Sequence, residues 1–153
     1  MEFRRNARID APLADVWALI DDIPTVAGCI PGVTDVEMRG EREFECVVTQ
    51  RVGSVKSSFR IVAQMTDIVP AQTVTVVCEG KDKVLGSNVR AHVKFDLSDQ
   101  GEATAVDILA DFQVTGRIAT FGQRIIAAKA EQVVMKALRN VDQLLTERRA
   151  ASA

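Results

Sequence analysis

Few residues of this sequence are of the types that carry acid–base chemistry, and their spacing keeps them apart. His92 is the only histidine, and in an alternating strand it shares its side with Arg90 and Lys94, which predicts a solvated side chain. Asp107 and Asp111 share one side of a later strand, but the alternation there assigns them to the outward side. Neither set predicts a catalytic pair.

The three cysteines offer no stronger signal for chemistry. Cys29, Cys46 and Cys78 are odd in number and have no Cys-x-x-Cys spacing, which argues against a disulfide framework or a zinc site. They indicate a reduced, cytoplasmic protein. Cys29 is expected to pack as a small apolar side chain, because a reactive thiol would need positively charged groups around it.

The composition excludes several functional classes. The 153 residues include 19 Lys and Arg against 21 Asp and Glu. The net charge of -2 gives no overall positive electrostatic field that would attract nucleic acid. The sequence has no Tyr and one Trp, which leaves little for base stacking. No apolar run approaches the roughly 18 residues of a membrane span. We expect one domain over residues 1–149, followed by a frayed tail at 150–153.

Alternation of apolar and polar residues predicts an antiparallel meander of seven strands. Short turns separate the later six, and two short helices follow the first strand, the second of them ending before Pro31-Gly32. The segment 80–88 is expected to be a loop. The predicted strands cover residues 1–9, 33–38, 43–52, 54–68, 73–79, 89–97 and 102–115.

A long amphipathic helix is predicted over about 117–149. Thr120 and Gln123 have the spacing of a capping box, and one apolar stripe follows. Such a helix buries its stripe only against the concave face of the sheet. The predicted class is therefore α+β, with a curved seven-stranded sheet around the C-terminal helix.

The helix carries alanines where it crosses the sheet, which predicts unfilled volume. Either phenylalanines fill this space or it is a cavity. We favour a cavity that binds a hydrophobic ligand, because the strand alternation places no pair of titratable side chains on the inward face of the sheet. The predicted floor is Phe59, Ile61, Val93, Phe95, Ile108 and Phe112. The predicted roof is Phe121, Ile125 and Ala128, with Trp17 and Ile30 near the entrance.

Three segments together resemble a known family. They are Ala-Pro…Val-Trp…Asp-Ile-Pro…Cys-Ile-Pro-Gly within 11–32, Val-Gly-Ser-Val-Lys at 52–56, and Gly-Arg-Ile-Ala…Phe-Gly at 116–122. The sequence resembles the carbon monoxide dehydrogenase G-subunit family, which belongs to the START-like helix-grip (SRPBCC) superfamily. Many members are Gly-rich where this chain has Gly-Lys-Asp-Lys-Val-Leu-Gly at 80–86, which indicates a stiffer, more charged loop at the cavity rim.

The resemblance implies a non-enzymatic accessory protein of a molybdenum hydroxylase, of the carbon monoxide dehydrogenase or xanthine dehydrogenase type. It also implies a bound quinone or another lipid-like molecule. The spacing of the residues themselves predicts no metal site and no catalytic residues. Two alternatives stay open at this stage. The superfamily fold also hosts polyketide cyclases and hydrolases that act on hydrophobic substrates, and a filled core would leave a pure protein–protein adaptor.

The expected partners are a hydrophobic small molecule and the hydroxylase subunits, and no nucleic acid. Longer members carry a hydrophobic C-terminal anchor, whereas this sequence ends at Ala153 with Arg148 and Arg149 near the end of its last helix. We therefore expect a cytoplasmic protein at the inner face of the membrane, with weak, salt-sensitive peripheral contact at most.

Overall fold

Seven strands form one curved antiparallel sheet, as the alternation predicted. A computed structural model describes residues 1–152, and its strands lie in the spatial order β1-β7-β6-β5-β4-β3-β2. Consecutive strands pair as hairpins from β2 to β7, and β1 pairs with β7. The strands are β1 (Glu2–Ile9), β2 (Val33–Met38), β3 (Glu43–Val52), β4 (Val55–Val69), β5 (Thr73–Asp82), β6 (Ser87–Gln100) and β7 (Ala103–Gly116).

Helices cover the concave face of the sheet. Two short helices, α1 (Leu13–Asp21) and α2 (Ile23–Ala27), follow β1, and α3 (Gln123–Ser152) is the long C-terminal helix. This arrangement confirms the predicted α+β helix-grip fold. Residues 150–152, which the sequence assigned to the tail, continue α3, and Ala153 lies outside the described residues.

The predicted start of the long helix was wrong. Residues Arg117–Phe121 form a 3₁₀ segment, and Gly122 separates it from α3 with φ of 94°, a left-handed conformation that cannot continue a helix. Thr120 does not form the predicted capping box, because its hydroxyl donates back to the carbonyl of Arg117 at 2.6 Å.

The predicted loop at 80–88 is shorter than expected. Strand β5 continues to Asp82 and β6 begins at Ser87, which leaves residues 83–86 as the β5–β6 loop. The Asp82 carboxylate organises this loop: it accepts hydrogen bonds from the Ser57 hydroxyl at 2.7 Å and from the amides of Val84 and Leu85 at 3.0 and 3.1 Å.

Antiparallel pairing gives the molecule two distinct ends. The α1 end holds α1, α2 and the β4–β5 and β6–β7 turns, and it is filled by buried side chains that include Leu19, Ile108 and Leu145. We call these, with their buried neighbours, the α1 core. The opposite end, here the loop end, holds the β3–β4 turn, the β5–β6 loop and the 3₁₀ segment. At this end the Ile118 amide donates to the Ser87 hydroxyl at 3.0 Å.

Candidate binding cavity

A hollow of about 360 Å³ lies between the middle of the sheet and α3. Side chains of Phe59, Ile61, Val93 and Phe95 face α3 across this space and keep accessible surface, although they lie on the inner face of central strands. A helix packed directly onto these strands would bury them, as Ile108 is buried in the α1 core. Their exposed surface is therefore the wall of a cavity between the sheet and α3.

Small residues on α3 leave this space open. The face of α3 above the cavity carries Ala130 and Ala137, together with Ile126 and Val134. Each helical residue advances the side chain by about 100°, so Ala128 points roughly 200° away from Ala130. Consistent with this geometry, Ala128 lies on the exposed face of α3.

The structure brings six of the eleven predicted site residues to the cavity wall. Five of them occupy the inner face of the sheet, where strand parity had assigned them, and Ile30, predicted near the entrance, lies in the turn that follows α2. Their part in binding stays a prediction. These residues are Ile30, Phe59, Ile61, Val93, Phe95 and Phe112.

The structure does not bring Ile108, predicted on the floor, or Trp17, predicted near the entrance, to the cavity wall. Ile108 is 2% exposed and belongs to the α1 core, because α1 and the end of α3 cover that part of β7. Trp17 is half-buried among the core side chains around α1 and α2. From the same helix, Val16 and Ile20 reach the cavity instead.

The predicted roof of Phe121, Ile125 and Ala128 was also wrong. The predicted stripe ran through Gly122 as though 117–149 were one helix, so its first half had the wrong phase. Phe121 belongs to the 3₁₀ segment and packs over Gly53, where a Cβ would lie 2.8 Å from the Phe121 ring. Ile125 is 45% exposed and Ala128 is exposed.

Few polar groups reach the wall. Gln50 donates to the carbonyl of Pro31 at 2.6 Å, and the Lys129 ammonium donates to the Gln132 side chain at 3.3 Å. Gln50 lies on the same face of β3 as Cys46 and Val48, so the strand alternation could have identified it. The direction of the Lys129 side chain depends on the residue at which α3 begins, which the sequence did not reveal.

Three thiols also line the cavity and are poor nucleophiles. Burial raises the pKa of the Cys29 thiol, and burial together with the nearby Glu45 charge raises that of Cys46. Burial raises the pKa of Cys78 to about 11. All three thiols therefore stay protonated near neutral pH.

One buried carboxylate lies outside the cavity, on a residue that the sequence had placed in the predicted loop at 80–88. Asp82 is on the same side of β5 as Cys78 and is 5% exposed. Burial by itself would raise the pKa of this carboxyl, but hydrogen bonds from Ser57 and three backbone amides outweigh it and hold the pKa below its ordinary value. Asp82 is thus an ionised group whose contacts fix the β5–β6 loop.

The wall offers no constellation for acid–base or metal chemistry. Besides the thiols, its one ionisable side chain is that of Lys129. Within residues 1–152 no three His, Cys, Asp or Glu side chains are grouped to hold a metal ion. The cavity is built to enclose apolar material.

Residues 6–146 match the family described as the G subunit of carbon monoxide dehydrogenase (CoxG). The chain belongs to this family. The resemblance seen in the sequence is therefore confirmed over most of the chain. No curated protein sequence matches it significantly.

Solved structures show the same fold at low sequence identity. A conserved protein from Geobacillus kaustophilus superposes with a TM-score of 0.88 at 20% identity, covering 96% of both chains. The Zhui aromatase/cyclase from a Streptomyces species has a TM-score of 0.73 at 14% identity, covering 100% of this chain and 98% of that one. A START superfamily protein from Mycobacterium smegmatis has a TM-score of 0.72 at 7% identity, covering 95% and 97%. Family and fold together suggest a ligand-binding accessory role.

The helices of residues 1–152 include none with the length and apolar character needed to cross a membrane.

Proposed function

We propose that this protein binds a quinone or another lipid-like molecule in its cavity and serves, without catalysis of its own, a molybdenum hydroxylase of the carbon monoxide dehydrogenase or xanthine dehydrogenase type. The observation that carries the proposal is the hollow of about 360 Å³ with an almost wholly aliphatic and aromatic wall. The choice of partner enzyme is supported by membership of the CoxG family.

Burial of apolar ligand surface would drive binding, at about 25 cal/mol per Å². The volume falls at the lower end of the roughly 300–1,000 Å³ typical of ligand pockets, which suits a ring with a short length of tail. A longer isoprenoid tail would extend out of the cavity.

Two polar groups on the wall favour a ligand with carbonyl oxygens over a plain hydrocarbon. The Gln50 amide uses one N–H on Pro31, and the Lys129 ammonium uses one on Gln132. An amide nitrogen has two N–H groups and an ammonium has three, so each retains an unused donor. A quinone carbonyl is an acceptor that either group could satisfy.

The two alternative functions have weaker support. The likeness to the Zhui aromatase/cyclase is one of fold, and proton-transfer chemistry would require interacting titratable groups that the described cavity wall does not hold. A pure adaptor has no use for a hollow of about 360 Å³ with an apolar wall, and leaving apolar side chains unpacked costs stability.

The decisive experiment compares two alanine-to-phenylalanine variants of α3. Ala137→Phe places a ring inside the cavity, whereas Ala128→Phe places the same ring on the exposed face and is the matched control. Organic extracts of the purified proteins are analysed by mass spectrometry, and apo protein is titrated with decylubiquinone by Trp17 fluorescence. We expect the wild type and the control to bind, and Ala137→Phe to fold and fail to bind.

A filled interior would give a different pattern. Overpacking would then destabilise Ala137→Phe by about 1–3 kcal/mol, and the wild type would yield no extractable ligand and bind no added quinone. That result would contradict the proposal. The partner is tested separately, by co-elution of the wild type with the hydroxylase subunits in size-exclusion chromatography.

A further inference from the structure

The outer face of the sheet carries a groove that α3 does not cover. It lies over β3, β4 and the end of β5, has a volume of about 790 Å³, and is bounded on one side by the β5–β6 loop. Successive residues of a strand point to opposite faces, so Arg60 and Val62 line the groove while Ile61 between them lines the cavity. We call this site the outer groove. It and the cavity are on opposite sides of the same strands.

Part of the outer groove is apolar. Val47 of β3 and Val62 of β4 are diagonal neighbours on its floor, since Val47 is paired with Arg60, two residues from Val62. Both valines keep accessible surface. Val84 and Leu85 of the β5–β6 loop form the side wall, and Val84 is 93% exposed. Aliphatic side chains that converge on one concave site would be stabilised by an apolar group covering them.

Three lysines beside this apolar surface have no carboxylate partner. Lys56, Lys81 and Lys83 line the outer groove and are exposed, and none of them forms an ion pair with another side chain of residues 1–152. Their ammonium groups are free to bind an anionic partner.

The carboxylates of the outer groove do not cancel this charge. Glu45 lies 3.3 Å from Arg60, and Glu79 lies 2.9 Å from Arg90. Asp82 is 5% exposed and accepts hydrogen bonds from a hydroxyl and from backbone amides. The outer groove therefore keeps a local positive field, although the net charge of the protein is -2.

The basic positions follow the direction of the strands at regular steps. Lys81 is paired with Arg60 across β4 and β5, Lys83 comes two residues later, and Lys56 comes four residues before Arg60 on β4. At about 3.3 Å per residue this row is about 13 Å long. An extended peptide has side chains on one face every second residue, about 6.6 Å apart. Three alternate acidic residues would therefore match the row, and Val62 lies where an apolar residue two positions before them would fall.

We propose that the outer groove binds an extended acidic segment of a partner protein. An apolar side chain of the segment lies on Val47 and Val62, and acidic side chains two, four and six residues later lie on Lys81, Lys83 and Lys56. Charge complementarity and the matching spacing carry the inference.

The chemistry of the outer groove suits a polypeptide better than other anions. The residues that line it include no aromatic side chain on which a nucleic-acid base could stack. A small free anion would use the ammonium groups and leave the apolar floor uncovered. The inference does not rest on the cavity ligand, because the cavity is on the other face of the sheet.

Binding of a designed peptide tests the outer groove. The full chain is titrated into fluorescein-labelled Leu-Ser-Glu-Ser-Glu-Ser-Glu, and the fluorescence anisotropy is followed at about 50 mM and about 500 mM NaCl. We expect saturable binding at low salt and weaker binding at high salt. A peptide of the same composition with its three glutamates adjacent should bind more weakly, because its carboxylates no longer lie on one face.

Lysine variants test the charged row. Lys56→Gln/Lys81→Gln should weaken binding of the alternating peptide about tenfold, which corresponds to about threefold for each exposed ion pair lost. Lys136→Gln/Arg139→Gln removes two exposed cations from the middle of α3 and, as the control of equal charge, should leave binding unchanged. Should the Lys56/Lys81 variant melt early, Lys83→Gln replaces it, with an expected loss of about threefold.

A second pair of variants tests the apolar floor. Val62→Thr should weaken binding of the peptide about threefold and should leave unchanged a peptide whose leucine is replaced by serine. Val77→Thr changes a partly exposed valine on the same face of the sheet, outside the outer groove, and should affect neither peptide.

Several results would overturn the proposal. They are the absence of peptide binding at low salt, equal binding of the two glutamate arrangements, and equal losses in target and control variants. Displacement of the peptide by an equal concentration of oligothymidylate or citrate would favour a general anion site instead. A dimer in sedimentation velocity that Lys56→Gln/Lys81→Gln dissociates would favour a second copy of this chain as the occupant.

The two proposals fail separately. Ala137→Phe should lose the cavity ligand and keep peptide binding, whereas Lys56→Gln/Lys81→Gln should keep the ligand and lose peptide binding. If the wild type binds the alternating peptide and binds no quinone, the outer groove stands without the cavity function.

Discussion

The α1 end and the middle of the sheet are built from the same kinds of residue, yet one is filled and the other is hollow. Ile108 on β7 is 2% exposed beneath α1, whereas Ile61 on β4 faces α3 and keeps accessible surface. The difference lies in what covers each strand. At the α1 end the covering residues include Leu19 and Leu145. Over the middle the face of α3 also includes Ala130 and Ala137, beside Ile126 and Val134.

This contrast shows how a small domain can contain an internal hollow. The α1 core anchors one end of α3, and at the loop end Asp82 fixes the turn on which the 3₁₀ segment packs. A helix held at both ends bridges the space between without having to fill it. The cavity should therefore tolerate substitutions that the α1 core does not.

The largest expected effect comes from truncating the same residue type in the two regions. Ile108→Ala removes methylenes from the α1 core and should lower the free energy of unfolding by about 2–5 kcal/mol. Ile61→Ala widens an existing hollow and should cost about 1 kcal/mol in the ligand-free protein, because fewer atoms contact that side chain. Urea denaturation of both variants measures the difference. Equal losses would show that the middle of the sheet is packed as tightly as the α1 end.

Asp82→Asn should have the next largest effect. The amide that replaces one carboxylate oxygen is a donor facing N–H donors, so a buried group loses its partners and stability should fall by about 1–3 kcal/mol. Glu79→Gln changes an exposed carboxylate in an ion pair with Arg90, and as the control it should have little effect. A variant as stable as the wild type would rule out Asp82 as the organiser of the loop.

The same carboxyl should shape the acid sensitivity of the protein. Its pKa in the folded state lies below the ordinary, unfolded value, so its contribution is fully present above that unfolded value and is lost as the pH falls through the folded one. Acid titration of the melting temperature below about pH 4 should show a shallower loss in Asp82→Asn than in the wild type. Parallel curves would contradict this assignment.

The smallest expected effect is on the rate at which a reagent reaches the thiol of Cys78 in the hollow, with no change in stability. Because burial raises the pKa of Cys78 to about 11, its alkylation by N-ethylmaleimide should be slow at neutral pH. The rate should rise about tenfold per pH unit below that pKa, following the thiolate fraction. Ala137→Phe should slow the reaction and Ala128→Phe should not, as peptide mass spectrometry would show. Protection by both variants, or by neither, would mean that the thiol is reached by another route.

Much of the sheet could be predicted from the sequence because strand parity is a local property. Alternate residues of a strand lie on the same face, which groups Phe59 with Ile61 and Val93 with Phe95. Antiparallel pairing keeps the inward faces of neighbouring strands on one side of the sheet. The same counting placed Ile108 inward correctly. It could not tell that α1 and the end of α3 would cover Ile108, since that depends on elements distant in the sequence.

Two features were decided by the tertiary structure. The phase of α3 depends on where the helix begins, and the packing of the 3₁₀ segment against the β3–β4 turn puts that point after Gly122, which turned Ala128 outward and Ala130 inward. Burial of Asp82 depends on Ser57, 25 residues away in the chain.

By itself the sequence determined the class of fold, the antiparallel meander and the apolar inner face, since each follows from periodicity over a few residues. Whether the space above that face is filled depends on the summed volumes of side chains from β3 to β7, α1 and α3. No single segment contains that sum, so only the tertiary structure decided that this protein has a hollow.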